Sequence, residues 1–396
     1  MTWNSARLDQ LGYVSRGRSR HRPRDADHLY GGPYPFIQTG DVKHAGLYIA
    51  SFEQTYSEAG LEQSRLWPAG TLCITIAANI ADTAVLAIDA CFPDSVIGFI
   101  PDDKKADARF VKYLFDATIQ RHVQQFSQGA TQDNLSQEKL LSIEFNVPKV
   151  GDQTRIASIL SAYDDLIENN RRRMGLLEEA ARQLYREWFV RLRFPGHERA
   201  KITNGLPEGW ERKPLVDIAP DLRDAANPAD LEPGTPYIGL EHMPRRSITL
   251  SEWGTAEQVT SAKLRYKAGD ILFGKIRPYF HKVGFALSDG VSSSDSIILR
   301  PVAEELHAFV LLAVSSDWFV AVVSKTAKEG SKMPRADWNL MERHELAVPP
   351  VRILNAFRDV VYPIVSQLKT LAFQNQKLRT ARDLLLPKLM SGEVAA

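Results

Sequence analysis

NVPKVGDQTRIASIL, residues 146–160, returns in altered form as AVPPVRILNAFRDVV, residues 347–361. The pairs Val147-Pro148 and Val348-Pro349 lie 201 positions apart. The same offset brings Pro35-Phe36-Ile37 onto Pro236-Tyr237-Ile238, DSVI at Asp94 onto DSII at Asp295, and Gly129 of GATQ onto Gly330 of GSKM. Small insertions shift the frame elsewhere: Ala69-Gly70 meets Ala268-Gly269, and Trp3 of WNSARLDQL meets Trp210 of WERKPLVDI. Each match is weak alone, but their shared order and nearly constant offset mark an internal duplication. The period is far too long for a solenoid. It predicts two similar domains, each followed by a similar segment.

Those following segments read as long helices. In the first, apolar residues recur on a 4-3 spacing at Ile156, Leu160, Tyr163, Ile167, Met174, Leu177, Ala181, Leu184 and Trp188, with Asn170 as the polar break. In the second, Phe357, Val361, Ile364, Leu368, Leu371, Leu378, Leu385 and Leu389 hold the same frame, broken by Asn375 and again by Arg382. That spacing keeps one stripe toward a partner helix, as in a coiled coil, where a buried Asn fixes register. Two seams in one chain can satisfy each other as an antiparallel pair, or each can pack on its own domain. Pro363 is expected to kink or start the second helix. Trp188 and Phe189 are candidates for contact with another protein, with packing against the linker as the alternative.

The regions ahead of the helices read as mixed α/β. Short β-branched and aromatic runs (TLCITIAANI, AVLAI, DILFGKI) are cut by Gly, Pro and Asp, while residues 107–126 and 306–324 carry helical patterns. A Gly- and Pro-rich linker separates the repeats. The expected division is 1–150, a first globular domain; 151–192, a central helix; 193–209, the linker; 210–350, a second domain; and 351–396, a C-terminal helix. The fold class is α/β (α+β) with a pseudo-two-fold internal repeat.

Composition limits the function classes. At 396 residues, 44% hydrophobic and 24% charged, the chain is ordinary for soluble domains. It has no apolar run long enough for a transmembrane helix and no secretory h-region, and its two cysteines cannot build a disulfide framework. A cytoplasmic protein is the default expectation. A net charge of +1 argues against bulk, sequence-blind nucleic-acid binding but leaves room for a local basic face. Such a face is offered by RGRSRHRPR, residues 16–24, read as an irregular loop after a short helix in SARLDQLGYV.

Taken together these residues resemble the specificity (S) subunits of type I restriction–modification enzymes. GATQDNLSQEKLLSIEFNVPKVGDQTRIASILSAYDDLIENNRR is similar to that family's join between the first target recognition domain and its central conserved helix. YPFIQTGDV, LPEGWERKPLVDIA, KAGDILFGKIRPYFHKVGFA and LRTARDLLLPKLMSGEV resemble further family segments in order, over essentially the whole chain. GSKMPRADW departs from the form of the first repeat. The resemblance implies a non-catalytic subunit in which each recognition domain reads one half of a bipartite, asymmetric DNA site. It also implies helices that set the spacer and dock two methyltransferase subunits carrying S-adenosylmethionine, and a motor-nuclease subunit using ATP and Mg. No cofactor, metal or membrane is implied for this chain itself.

The residues agree. NPAD at Asn227 lacks the second proline and aromatic of a methyltransferase's catalytic stretch and reads as a turn. No phosphate-binding glycine loop or metal-ligand histidine spacing occurs, and Asp102-Asp103-Lys104-Lys105 reads as a solvated turn. DNA-reading chemistry is present: Arg bonds guanine bidentately, Gln and Asn bond adenine, and Lys, Ser and Thr hold phosphates. The first domain offers Arg16, Arg18, Arg20, Arg22 and Arg24; Gln38, Thr39, Asp41, Lys43 and His44 on the loop after YPFI; and Thr131, Gln132 and Asn134. The second offers Lys275, Arg277, Tyr279, His281, Lys282, Ser331, Lys332 and Arg335. For each, a solvated, ion-paired or core role stands beside the DNA role; for Asp41 that alternative is capping a turn. A self-sufficient methyltransferase or nuclease with unrecognised motifs, or a scaffold with no DNA role, are the competing functions.

Overall fold

The computed structural model describes every residue except Met1, 78–79, 127–135 and 327–332. Contacts gather the chain into two compact units, Met1–Asn169 with Gln376–Ala396, and Asn170–Asn375.

The first unit is built on a five-stranded sheet in the order Gly12–Arg16, Val96–Pro101, Leu72–Thr75, Thr83–Leu86, Tyr48–Ile49. Its strands Leu72–Thr75 and Thr83–Leu86 are buried at every residue because both faces are covered. Leu72, Ile74, Val85, Ile97 and Phe99 face one core, shared with helix Ala108–Phe126. Cys73, Ala84, Leu86 and Val96 face another, with Ile37, Val42 and Trp67. Two side features complete the unit. Trp3–Arg7 pairs antiparallel with Glu144–Pro148, and Tyr30–Phe36 with Gln54–Tyr56.

The second unit repeats this plan. Thr249–Leu250, Val283–Ala286, Ile271–Gly274 and Ser296–Leu299 form a sheet in that order, and Asp221 bridges Leu299 where the first unit has a full edge strand. Glu211–Pro214 pairs with Glu345–Val348, so Val348 lies opposite Glu211 as Val147 lies opposite Asn4. Pro236 lies opposite Thr255 as Pro35 lies opposite Thr55. The sequence offset is therefore kept in strand register.

Two long helices, Val150–Tyr185 and Val351–Ser391, account for the 4-3 patterns. In the first unit Ile156 and Leu160 are buried in one core with Leu386 and Leu389, and Asp164 accepts a hydrogen bond from Arg382. In the second, Asn170 donates from Nδ2 to Asn375 Oδ1 at 3.0 Å, beside buried Leu368 and Leu371. The two polar breaks are thus partners, and within the second unit, where Asn170 meets Asn375 and Trp188 meets Phe357, the helices run antiparallel.

Several expectations need correction. The C-terminal helix begins at Val351 and runs through Pro363, which is exposed, so the proline neither starts nor ends it. Residues 306–324 form two helices, His307–Val314 and Asp317–Thr326; the hydroxyls of Ser315 and Ser316 return to the carbonyls of Leu311 and Ala313 at the break. The helix expected in SARLDQLGYV is one turn, Leu8–Leu11, between two strands. It stops at Gly12, where a Cβ would lie 2.2 Å from the Ile100 carbonyl oxygen. Trp188 and Phe189 do not stand free. Phe189 is buried, meeting Phe309 and Phe357 edge to face, and the Trp188 ring lies 5.3 Å from that of Phe357. Within the linker, Phe194 is buried in the same core and Ile202–Thr203 pairs with Leu206–Pro207.

Candidate nucleic-acid interface

The arginine run begins on the sheet. Arg16 ends the edge strand, paired with Ile97, and the chain stays tied down beyond it. The Gly17 amide donates to the Val96 carbonyl at 2.9 Å and the Arg18 amide to Phe92 at 3.0 Å. Glycine is required at 17: a Cβ there would lie 2.3 Å from the Phe92 carbonyl oxygen. Ser64 Oγ donates to the Arg18 carbonyl at 2.9 Å, and the His21 amide to Gln63 Oε1 at 3.1 Å. Gly17 and Ser19 are consequently buried while Arg16, Arg18 and Arg20 are exposed. Exposure alternates with burial along 16–20, so the repeating R-x-R-x-R text puts three arginines on the solvent side of one short stretch of chain. Among the described residues these three form no ion pair. The other two are engaged. Arg22 donates to the carbonyls of Ser19 and His21, and Arg24 bonds both oxygens of Asp94 at 3.0 and 2.9 Å.

Residues 39–44 are not a loop but a short helix, Thr39–His44, seated on the sheet by Val42. Asp41 is its cap. Its carboxylate accepts the Gln38 amide at 2.7 Å, and partial burial raises its pKa. Gln38 donates to Gln54 Oε1, and His44 Nδ1 lies 2.7 Å from the Gly40 carbonyl. Lys43 and His44 are exposed. Thr131, Gln132, Asn134, Ser331 and Lys332 lie outside the described residues.

In the second unit the structure brings Lys275 and Arg335 together across Asp295. Arg335 reaches Asp295 at 3.1 Å, and Ile276 bridges to Arg335 through the backbone. Burial, then nearby Arg223, lowers the Lys275 pKa, against the pull of Asp221 and Asp295. Arg277 is left-handed at φ 50° and lies over the Phe280 ring, whose other cation is Arg245 at 4.1 Å. Tyr279 is exposed at the tip. His281 and Lys282 correct the expectation. His281 is 6% exposed, with Nε2 2.7 Å from the Ser315 carbonyl, and Lys282 Nζ donates to the Leu240 carbonyl at 2.6 Å. The chain turns inward after Phe280, so both side chains of the HK pair serve the fold. Among the described residues no group of acids, histidines and cysteines is placed to hold a metal ion. Asn227 caps a turn by accepting the Ala229 amide at 3.3 Å, as its sequence suggests. No single described helix is long and apolar enough to cross a membrane.

Two cations were missed in the sequence, Arg65 and Arg245, each lying against an aromatic ring. The text around Arg65, SRLWP, offers only the nearness of a tryptophan.

Comparison with known proteins gives one consistent answer. The family model described as type I restriction modification DNA specificity domain matches residues 1–179. The chain is 25% identical over 414 residues to the type I restriction enzyme MjaIX specificity subunit of Methanocaldococcus jannaschii, covering 99% of this chain and 93% of that protein. It is 22% identical over 427 residues to the EcoDI specificity subunit of Escherichia coli, covering 100% and 89%. Its fold is similar to that of a type I restriction–modification S subunit from M. genitalium, with a TM-score of 0.57 at 15% identity, over 98% of this chain and 96% of that one.

Proposed function

The chain belongs to the type I restriction–modification specificity family, and from that premise we propose that it is the DNA-recognition subunit of a type I complex. Each unit reads one half of a bipartite, asymmetric duplex site. The chain performs no chemistry itself. Two methyltransferase subunits, with S-adenosylmethionine, dock on it, and a motor-nuclease subunit supplies ATP-driven restriction. The two long helices set the number of base pairs between the half-sites.

The observation that carries this reading is the match to specificity subunits along nearly the whole length of the chain. The exposed row Arg16, Arg18 and Arg20 supports it from the chemistry, because unpaired cations in one short stretch suit a polyanion. In the second unit Lys275, Arg277 and Arg335, with the exposed Tyr279, are the groups left for DNA, while His281 and Lys282 drop out of the DNA-facing set.

Expression with a methyltransferase partner, followed by methylome sequencing, tests the proposal. The expected result is one new methylated motif made of two fixed halves around a fixed gap. Methylation or cleavage by the purified chain alone would overturn it, as would a methylome with no new motif. An insertion of four residues in Val150–Tyr185, about one helical turn, is expected to change the gap and leave both half-motifs intact.

A further inference from the structure

Resting on the DNA-recognition reading, the geometry points to a division of labour in the first unit, and we propose that Arg65 reads a guanine while Arg16, Arg18 and Arg20 hold phosphates.

Arg65 comes from a different stretch of chain, yet it is fastened to the same edge. Its neighbour Ser64 donates to the Arg18 carbonyl, and Gln63 accepts the His21 amide. Its guanidinium carbon lies 4.1 Å from the centroid of the Trp67 ring and 4.9 Å from that of Tyr13. One Nη1–H donates to the Tyr13 hydroxyl at 2.8 Å. Both rings are themselves fixed. Trp67 is wholly buried and stacks on Phe92 at 4.8 Å, and Tyr13 sits on the edge strand opposite Ile100. Tyr13 is 50% exposed, so the cluster opens to solvent. Its hydroxyl takes a hydrogen bond from Arg65, and the nearness of Ser15 and Arg65, then of Arg18, lowers its pKa. Among the described residues no carboxylate pairs with Arg65.

An arginine stacked on rings has already given up the rotamer freedom it would lose on binding, and its planar fork keeps donors to spare. That is the state in which bidentate bonding to guanine O6 and N7 costs least. Arg16, Arg18 and Arg20 have the opposite character. Their backbone is fixed and their heads are not. Three exposed cations within five residues, with no ion pair among the described residues, suit successive charges on a nucleic-acid strand and carry no base information. Sequence reading would then come from one rigid arginine, and register from three mobile ones.

The test uses the full chain assembled with its methyltransferase partner, on duplexes of the motif obtained from the methylome. Arg65→Lys keeps the charge and loses the fork. It is expected to reduce discrimination at one guanine of the first half-site by roughly 10-fold to 100-fold, with the second half-site and the salt slope unchanged. Tyr13→Phe, which keeps the ring and removes the hydroxyl, is expected to relax the same position more weakly. It guards against a folding failure at Arg65. The Arg16, Arg18, Arg20 triple alanine variant is expected to weaken all sequences alike and to flatten the salt slope by about 2.7. If Arg65→Lys leaves base preference intact, or relaxes a position that is not guanine, the assignment of Arg65 is overturned. Position-specific loss from the triple variant overturns the phosphate assignment. A wild-type complex with no sequence preference overturns the DNA-recognition reading itself, which separates that failure from this one.

Discussion

The same aspartate, set at the same place in two copies of one scaffold, has different company. Asp94 precedes the strand Val96–Pro101 and holds Arg24 of the arginine run. Asp295, at the start of Ser296–Leu299, holds Arg335 and lies near Lys275. The segment that follows the first sheet's edge is RGRSRHRPR; where Asp221 bridges the second sheet it is LRDAANPAD. Strand order and register survive the duplication while charge on this edge reverses. Buried apolar positions are constrained by packing in both copies, but the edge faces solvent, so its side chains can diverge. On the proposed reading, two half-sites of unlike sequence would need that divergence.

The long helices extend the comparison, and the largest effects are expected there. In the first unit their polar contact is ionic: Asp164, 7% exposed, accepts from Arg382 and from the Tyr113 hydroxyl. In the second it is the neutral Asn170–Asn375 amide bond. Asp164→Ala is expected to cost about 2–3 kcal/mol, because it leaves the buried Tyr113 hydroxyl without its acceptor and Arg382 with Asp383 as its remaining carboxylate. Asp164→Leu combined with Arg382→Met should recover part of it. Asn170→Ala is expected to cost about 1–2 kcal/mol, the loss of one amide's partner. Urea unfolding of the full chain measures both. Equal costs would mean that the ionic and amide contacts contribute alike, and the contrast between the units would fail.

These contacts also mark what the sequence makes legible. The duplication, the apolar seams and the two Asn breaks were readable because each is a spacing, and spacing survives without three-dimensional knowledge. The fate of GKIRPYFHK was not. Arg277 and His281 both take left-handed φ, 50° and 54°, although neither is glycine. That pair of turns sends His281 and Lys282 inward and leaves Tyr279 outside, and no composition rule foretells it. Arg65 and Tyr13 were invisible for a different reason: 52 residues separate them, and only the folded first unit brings the two side chains together. Asp41 stood between two readings, and the Gln38 amide bond gives it the capping role.

A smaller difference between the units is expected in acid. His281 and His344 both belong to the second unit, and burial lowers the pKa of each. Around His281, Asp317 pulls the other way, while Arg246 and Arg182 add to the lowering. A lowered histidine pKa means that the unfolded chain takes up the proton first. The stabilisation is therefore complete above about pH 6.5, the unfolded value, and is lost as pH falls through it. Hydrogen exchange at pH 7.5 and 5.5, corrected for intrinsic rates, should show protection around 307–326 falling in acid. His281→Gln, which can still donate toward the Ser315 carbonyl, should reduce that fall. A fall of equal size in the variant would remove His281 from the account.

The smallest effects on stability, and the sharpest on binding, return to the paired aspartates. Asp94 and Arg24 have side chains 42% and 48% exposed, and exposed pairs contribute at most about 1 kcal/mol. Asp94→Ala should therefore leave the unfolding midpoint almost unchanged, and Asp295→Ala nearly so. On DNA they should differ. Loss of Asp94 releases Arg24 beside Arg16, Arg18 and Arg20, adding one cation to a row already in place. One more phosphate contact steepens the salt slope by about 0.9, for any sequence. Loss of Asp295 removes the anion that stands between Arg335 and Lys275. Asp295 pairs directly with Arg335 alone, and Lys275 is only partly exposed, so Asp295→Ala should gain at most one contact. Titration of both variants, in complex with the methyltransferase partner, against the same duplex over a range of salt compares the two slopes directly. A steeper slope for Asp94→Ala alone would mean that the charge on each edge is set by the whole loop and not by its aspartate. Identical slopes would make the two edges electrostatically equivalent, and the reversal of charge between them would then have no consequence for binding.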